Sequence, residues 1–96
     1  MEFKDKVVLI TGAASGIGKA SAIAFASQGA NMIVSDNNFE GGKATVESIE
    51  KAGGQASFIS CDVGDAGQVK QLMHQIKSDF ERLDIAINNA GIPGAS

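Results

Sequence analysis

Thr11-Gly12-Ala13-Ala14-Ser15-Gly16-Ile17-Gly18 is a run of small residues that could do chemistry through its backbone. Without bulky side chains, backbone N–H groups approach an anion closely. Where such a turn opens a helix, the helix start adds unpaired donors and a partial positive charge. A diphosphate suits that cradle. Gly12 allows the tight turn, Gly16 the close approach, and Gly18 the packing of helix on strand. A triphosphate loop is excluded by spacing. That motif needs Gly five residues before its Gly-Lys pair and Ser or Thr after it. Here Gly18-Lys19 has Ala13 at the first place and Ala20 at the second.

The spacing G-x-x-x-G-x-G also differs from the G-x-G-x-x-G of other dinucleotide folds. A second group strengthens the dinucleotide reading. Asp36 lies 18 residues beyond Gly18, where an acidic side chain accepts hydrogen bonds from the adenosine ribose hydroxyls. The same carboxylate repels a 2′-phosphate. Asn37 and Asn38 are neutral, and no Lys or Arg lies between Gly12 and Gly16. These residues favour NAD over NADP. The plainer role for Asp36 is a turn residue capping the next helix. Two further short segments stand out along the chain: Cys61-Asp62-Val63 and Asn88-Asn89-Ala90-Gly91.

The elements that must position these groups follow from the apolar pattern. Val7-Val8-Leu9-Ile10, Met32-Ile33-Val34, Ser57-Phe58-Ile59 and Ile85-Ala86-Ile87 are short, nearly continuous runs, as expected of strands covered on both faces. Helix-length segments separate them. Residues 17–28 are apolar nearly all round, which suits a helix pressed on a sheet, with Gly29 closing it. Residues 39–52 carry Val46 and Ile49 on one side, and Gly53-Gly54 stops them. Val69, Leu72, Met73, Ile76 and Phe80 form one stripe of a third helix, opened by the capping-box spacing Asp65-Ala66-Gly67-Gln68. The order β-α-β-α-β-α-β implies an α/β fold with a parallel sheet and right-handed crossovers.

Composition excludes other classes. In 96 residues there are 8 basic and 11 acidic side chains, a net charge of -3, which argues against a nucleic-acid or anionic-membrane surface. One Cys makes no internal disulfide. The charged start is no signal peptide, and no apolar run reaches membrane-spanning length. A cytoplasmic protein is the expectation, and no metal site is expected. His74 reads as a solvated helix residue and Cys61 as a small core residue. Ser60 and Ser96 have no partnered base and are not catalytic candidates. The chain holds no Tyr and no Trp.

Together the glycine-rich loop, Asp62-Val63 and Asn88-Asn89-Ala90-Gly91 resemble the N-terminal part of a short-chain dehydrogenase/reductase, over the whole length from first strand to fourth. The resemblance implies a three-layer, Rossmann-type, doubly wound parallel sheet, present in part: four strands in the order 3-2-1-4 and three helices, one incomplete NAD(P)-binding domain over residues 1–96. Gly12, Ser15, Gly16, Ile17 and Gly18 would line the diphosphate, and Asp36 would hold the adenine ribose. Asp62 and Val63 would flank the adenine. Asn89, Ala90 and Gly91 would pass beside the nicotinamide ribose, and Asn88 would help fix the sheet.

The family's proton chemistry uses a later Asn, a Ser and a Tyr-x-x-x-Lys pair, the Tyr handling a proton as hydride moves. None is present here. The expectation is therefore the nucleotide-binding fragment of an NAD-dependent oxidoreductase acting on an alcohol/carbonyl pair, without catalytic residues or turnover of its own. The full-length protein would be a homo-oligomer. Two rivals are a free-standing NAD-sensing module and a domain for another adenosine ligand such as a methyl donor; Asn88-Asn89-Ala90-Gly91 argues against the latter. With nothing beyond the fourth strand, Ile85 and Ile87 are expected to face water, leaving a fragment that is marginally stable or self-associates.

Overall fold

A computed structural model of the chain describes residues 1–89. Seven elements alternate: β1 (Val7–Thr11), α1 (Gly16–Ser27), β2 (Asn31–Asp36), α2 (Phe39–Lys51), β3 (Gln55–Ser60), α3 (Ala66–Phe80) and β4 (Ile85–Asn88). The strands form one sheet in the order β3-β2-β1-β4, and every neighbouring pair is parallel. The expected partial three-layer architecture is present. Its central strand β1 is buried at all five positions, which is why its sequence reads as an unbroken apolar run.

Alternation along the strands divides the core in two. Val8, Ile10, Met32 and Val34 point to the face where Ala22 and Ala26 of α1 and Val46 and Ile49 of α2 pack. Val7, Leu9 and Ile33 point to the other face, against Leu72 and Ile76 of α3. Ile10, Met32, Ile33, Ile49 and Ile76 are among the largest fully buried side chains. Each stabilises the fold by roughly 1.5–3 kcal/mol through area removed from water.

Helix ends follow local chemistry. Asn38 caps α2 by accepting from Gly41 N, and Asp65 caps α3 by accepting from Gly67 N and Gln68 N. The predicted capping box at α3 is altered in one arm: Gln68 Oε1 accepts from Asp62 N at 2.9 Å, not from the N-cap amide. Helix α1 closes with Gly29 at φ +92°; Gly29 N donates to Ala26 O and Ala30 N to Phe25 O, the double bond pattern of a Schellman motif.

Helix α1 presses on the sheet as expected, through Gly18, Ala22 and Ala26, while Ile17 is 64% exposed. A helix lying on one sheet buries one stripe even when its outer face is apolar. Met73 of the α3 stripe is exposed, lying to one side of Leu72 and Ile76. Ile85 and Ile87 face water only in part. The register pairs them with Val8 and Ile10, so they are half-buried on the α1 side, packed against that core. The exposed residues of β4 are Ala86 and Asn88. On the α3 side an opening of about 320 Å³ lies beside them, lined among others by Leu9, Val63, Val69 and Met73.

Candidate dinucleotide site

Because the sheet is parallel, the segments following β1, β2, β3 and β4 all emerge at one edge. The crevice there, between β1 and β4 where the strand order reverses, is the place where open α/β sheets hold ligands. Gly12, Asp36, Asp62 and Asn89 all lie at this edge.

The glycine-rich loop leaves β1 at Gly12, with φ +70°, and enters α1 at Gly16, with φ +58°. Gly18 is buried. A Cβ on it would stand 2.1 Å from Gly12 O and 2.8 Å from Asn89 Nδ2. Gly18 therefore lets the helix touch the loop itself, one residue beyond the strand it was expected to pack on. Ser15 is the N-cap residue but its side chain makes no capping hydrogen bond. Among the described residues no side chain accepts from the N–H groups of Gly16, Ile17 or Gly18, in contrast to the capped starts of α2 and α3. Ser15, Gly16 and Ile17 are exposed. This helix start presents donors and the positive end of the helix dipole to solvent.

Two other amides of the loop turn inward. Ala13 N donates to Ser35 O at 3.2 Å, and Ala14 N donates to Asp36 Oδ2 at 3.0 Å. The second carboxylate oxygen, Asp36 Oδ1, accepts from Asn38 N at 2.9 Å. Asp36 is thus the last residue of β2 and does not cap α2; Asn38 does. A carboxylate offers about four acceptor positions, so two remain for a ligand's hydroxyls.

Asp62 is exposed and accepts from Gly64 N at 2.9 Å through Oδ1. Val63 is half-buried against the α3-side core. At β4, the Thr11 hydroxyl donates to Asn88 Oδ1 at 2.8 Å. Asn89 N donates to Thr11 O, and Asn89 Nδ2 reaches Gly12 O at 3.4 Å. Asn88 ties β4 to β1, and Asn89 braces the glycine-rich loop. Ala90 and Gly91 lie outside the described residues, as does Ser96.

Two buried polar residues were not anticipated. The Thr45 hydroxyl on α2 is fully buried and donates to Ala13 O at 2.9 Å. Ser35, also fully buried, has no hydrogen-bond partner for its Oγ among the described residues. No local pattern signals either, since both environments are made by distant segments. Cys61 is buried. Burial pushes its thiol pKa up, with Asp62 and Asp65 adding to the effect, so it is poorly suited to be a nucleophile. His74 is exposed. Among the described residues no group of His, Cys, Asp and Glu is placed to hold a metal ion, and no helix is long and apolar enough to cross a membrane.

Known proteins share this arrangement. The model of the family described as short chain dehydrogenase matches residues 6–96. A 3beta-hydroxysteroid dehydrogenase of Mediterraneibacter gnavus is 47% identical over 98% of this chain and 34% of its own length. An uncharacterized oxidoreductase of Thermotoga maritima is 51% identical over 96% of this chain and 36% of its own. The chain thus spans about a third of the length of these relatives. Among solved structures, a hydroxysteroid dehydrogenase from Escherichia coli superposes with a TM-score of 0.90 at 39% identity, covering 96% of this chain and 39% of that one. A metagenomic short-chain oxidoreductase in complex with NADP gives 0.92 at 29% identity, covering 96% of this chain and 42% of that one. The family binds nicotinamide dinucleotides. The strand order, the glycine-rich turn and the family match over residues 6–96 agree, and this chain belongs to the short-chain dehydrogenase family.

Proposed function

We propose that this chain is the dinucleotide-binding part of an NAD-dependent oxidoreductase that moves a hydride between NAD and an alcohol/carbonyl pair. The observation that carries the reading is the open start of α1 beside the Asp36 carboxylate. Neutral N–H donors at a positive helix end match a diphosphate. A carboxylate with acceptor capacity left matches a ribose diol and repels a 2′-phosphate. The donor set therefore fits a dinucleotide, and NAD over NADP.

When bound, NAD supplies the hydride acceptor. The residues of this chain bind and orient it. Gly12, Ser15, Gly16, Ile17 and Gly18 surround the diphosphate, Asp36 takes the adenine ribose, and Asp62 and Val63 flank the adenine. Asn89 would lie beside the nicotinamide ribose, and Ala90 and Gly91, outside the described residues, are assigned to it by the family resemblance alone. With no Tyr in its sequence, the chain brings no tyrosine to the proton transfer, so turnover is assigned to a longer protein. We propose further that the longer protein is a cytoplasmic homo-oligomer. A free-standing sensor has no support from the relatives above, whose names are those of dehydrogenases and oxidoreductases.

Calorimetric titration tests this. The chain should bind NAD more tightly than NADP and catalyse no reduction with either. Tighter NADP binding would overturn the assignment of Asp36. Binding of S-adenosylmethionine in place of both would overturn the dinucleotide reading.

A further inference from the structure

The Ala13–Ala14 peptide unit is held from both sides by residues far away in sequence. On one side is Thr45, in the middle of α2 and fully buried. Its hydroxyl carries one proton and has two carbonyl neighbours, Ala13 O at 2.9 Å and Gly41 O at 3.2 Å. The shorter contact is the cross-element one, spanning 32 residues. Gly41 O stands four residues back in the same helix, where the helix's own backbone already supplies a donor. Ala13 is itself fully buried, so its carbonyl has no water to turn to.

A trans peptide points its C=O and N–H in opposite directions. The N–H opposite the Ala13 carbonyl is that of Ala14, which donates to Asp36 Oδ2 at 3.0 Å. Fixing the carbonyl on Thr45 therefore aims the amide at Asp36. The carboxylate is then gripped twice, by Ala14 N on the loop and by Asn38 N beyond the strand. A short side chain gripped at both oxygens holds one rotamer and one direction for its remaining lone pairs.

We infer that Thr45 is a positioning residue for cofactor selectivity: acting through the Ala13–Ala14 peptide, it orients the Asp36 carboxylate toward the adenosine ribose. This rests on the assignment of Asp36 to the ribose. Thr45 touches no ligand. Replacing it with Val keeps the shape and removes the hydroxyl, leaving Ala13 O buried without a donor. The peptide then tilts in search of one, Ala14 N leaves Asp36, and the carboxylate is held by Asn38 alone. A ribose diol loses its oriented acceptor. A 2′-phosphate loses part of the repulsion that excluded it.

The experiment is calorimetric titration of the wild-type chain, Thr45→Val and Thr45→Ser with NAD and with NADP. Thr45→Val should weaken NAD about fivefold, the worth of one net intramolecular hydrogen bond. NADP affinity should hold or rise, so the NAD/NADP ratio falls by about fivefold or more. Thr45→Ser keeps the donor and should restore the wild-type ratio. A purely structural Thr45 would lower stability yet leave the ratio of the folded protein unchanged. That result, with wild type discriminating normally, would overturn the inference alone. Wild type binding neither dinucleotide would overturn the ribose assignment, and the inference with it. If the Val variant does not fold, Thr45→Cys, a weaker donor, takes its place and should lower the ratio in the same direction.

Discussion

Gly18→Ala adds one methyl group where α1 crosses the glycine-rich loop. The new Cβ would lie 2.1 Å from Gly12 O and 2.9 Å from Gly12 C. Both are backbone atoms, so no side chain can swing away. Reaching even a tight contact of 3.0 Å requires helix and loop to part by about 0.9 Å, the difference between the two distances. That displacement strains the Asn89 Nδ2 bond to Gly12 O, already 3.4 Å long. Overpacking of this kind costs about 1–3 kcal/mol, with rigid backbone at the upper end. The better helix propensity of Ala returns about 1 kcal/mol. The net loss is about 2 kcal/mol, or a melting temperature lower by roughly 10 °C for a domain of this size. Gly67→Ala is the matched control. It makes the same chemical change in the first turn of α3, where the new Cβ meets Asp65 Oδ1 at 3.2 Å; the same propensity gain of about 1 kcal/mol, less a small cost for that contact, should leave it at or slightly above wild-type stability. Urea unfolding of both variants, followed by dinucleotide titration, is the assay. Equal stability of the two variants would refute the steric argument. Full NAD affinity in a destabilised Gly18→Ala would separate loop geometry from binding and refute the link between them.

Other consequences are local. Glu81 closes α3 in the left-handed region at φ +64°, so Glu81→Gly should raise stability by about 0.5–1 kcal/mol, read as a higher urea midpoint. Asp84 accepts from Arg82 Nη2 at 2.6 Å and from Val7 N at 2.8 Å. The Arg82 hydrogen bond first, then that of Val7, holds its carboxyl below the ordinary value of 3.8. A depressed folded-state pKa gives stability that is fully present above the unfolded value and lost as pH falls through the folded one. Wild type should thus lose an increment of stability on acidification below pH 3.8 that Asp84→Asn does not lose, measurable as unfolding midpoints against pH. Cys61 is 3% exposed with a raised thiol pKa, so alkylation should proceed at the rate of unfolding and accelerate with urea as unfolding does; rapid labelling of the native chain would contradict its burial.

The fold was readable because burial on both sheet faces leaves unbroken apolar runs, and the helices between them carry 3.6-residue stripes or strong stop signals. Val7 to Ile10 and the Asp65 cap could be placed on that basis. Strand ends were less visible: β1 runs on through Thr11, which pairs with Ser35 and Asn88 across the sheet, and β3 begins at Gln55, a polar residue. The glycine-rich loop could be found because its requirement is local, a run of residues without bulk. Asp36 could be singled out by its distance from that loop, but not its grip on Ala14 N, which spans 22 residues. Thr45 looked like any polar helix position, since its acceptor lies 32 residues away. Ile85 and Ile87 are less exposed than expected because an edge without a partner strand still has one face covered. Register placed them over the core shared with α1.

The most direct test of the central claim is an amide map of this chain, recorded by NMR with and without NAD. If the diphosphate sits on the start of α1 and the ribose on Asp36, perturbations will cluster at Gly12 to Gly18, Asp36, Asp62, Val63 and Asn89, and the outer face of α3 around His74 will stay silent. An unchanged map at saturating NAD, or shifts confined to that outer face, would contradict it.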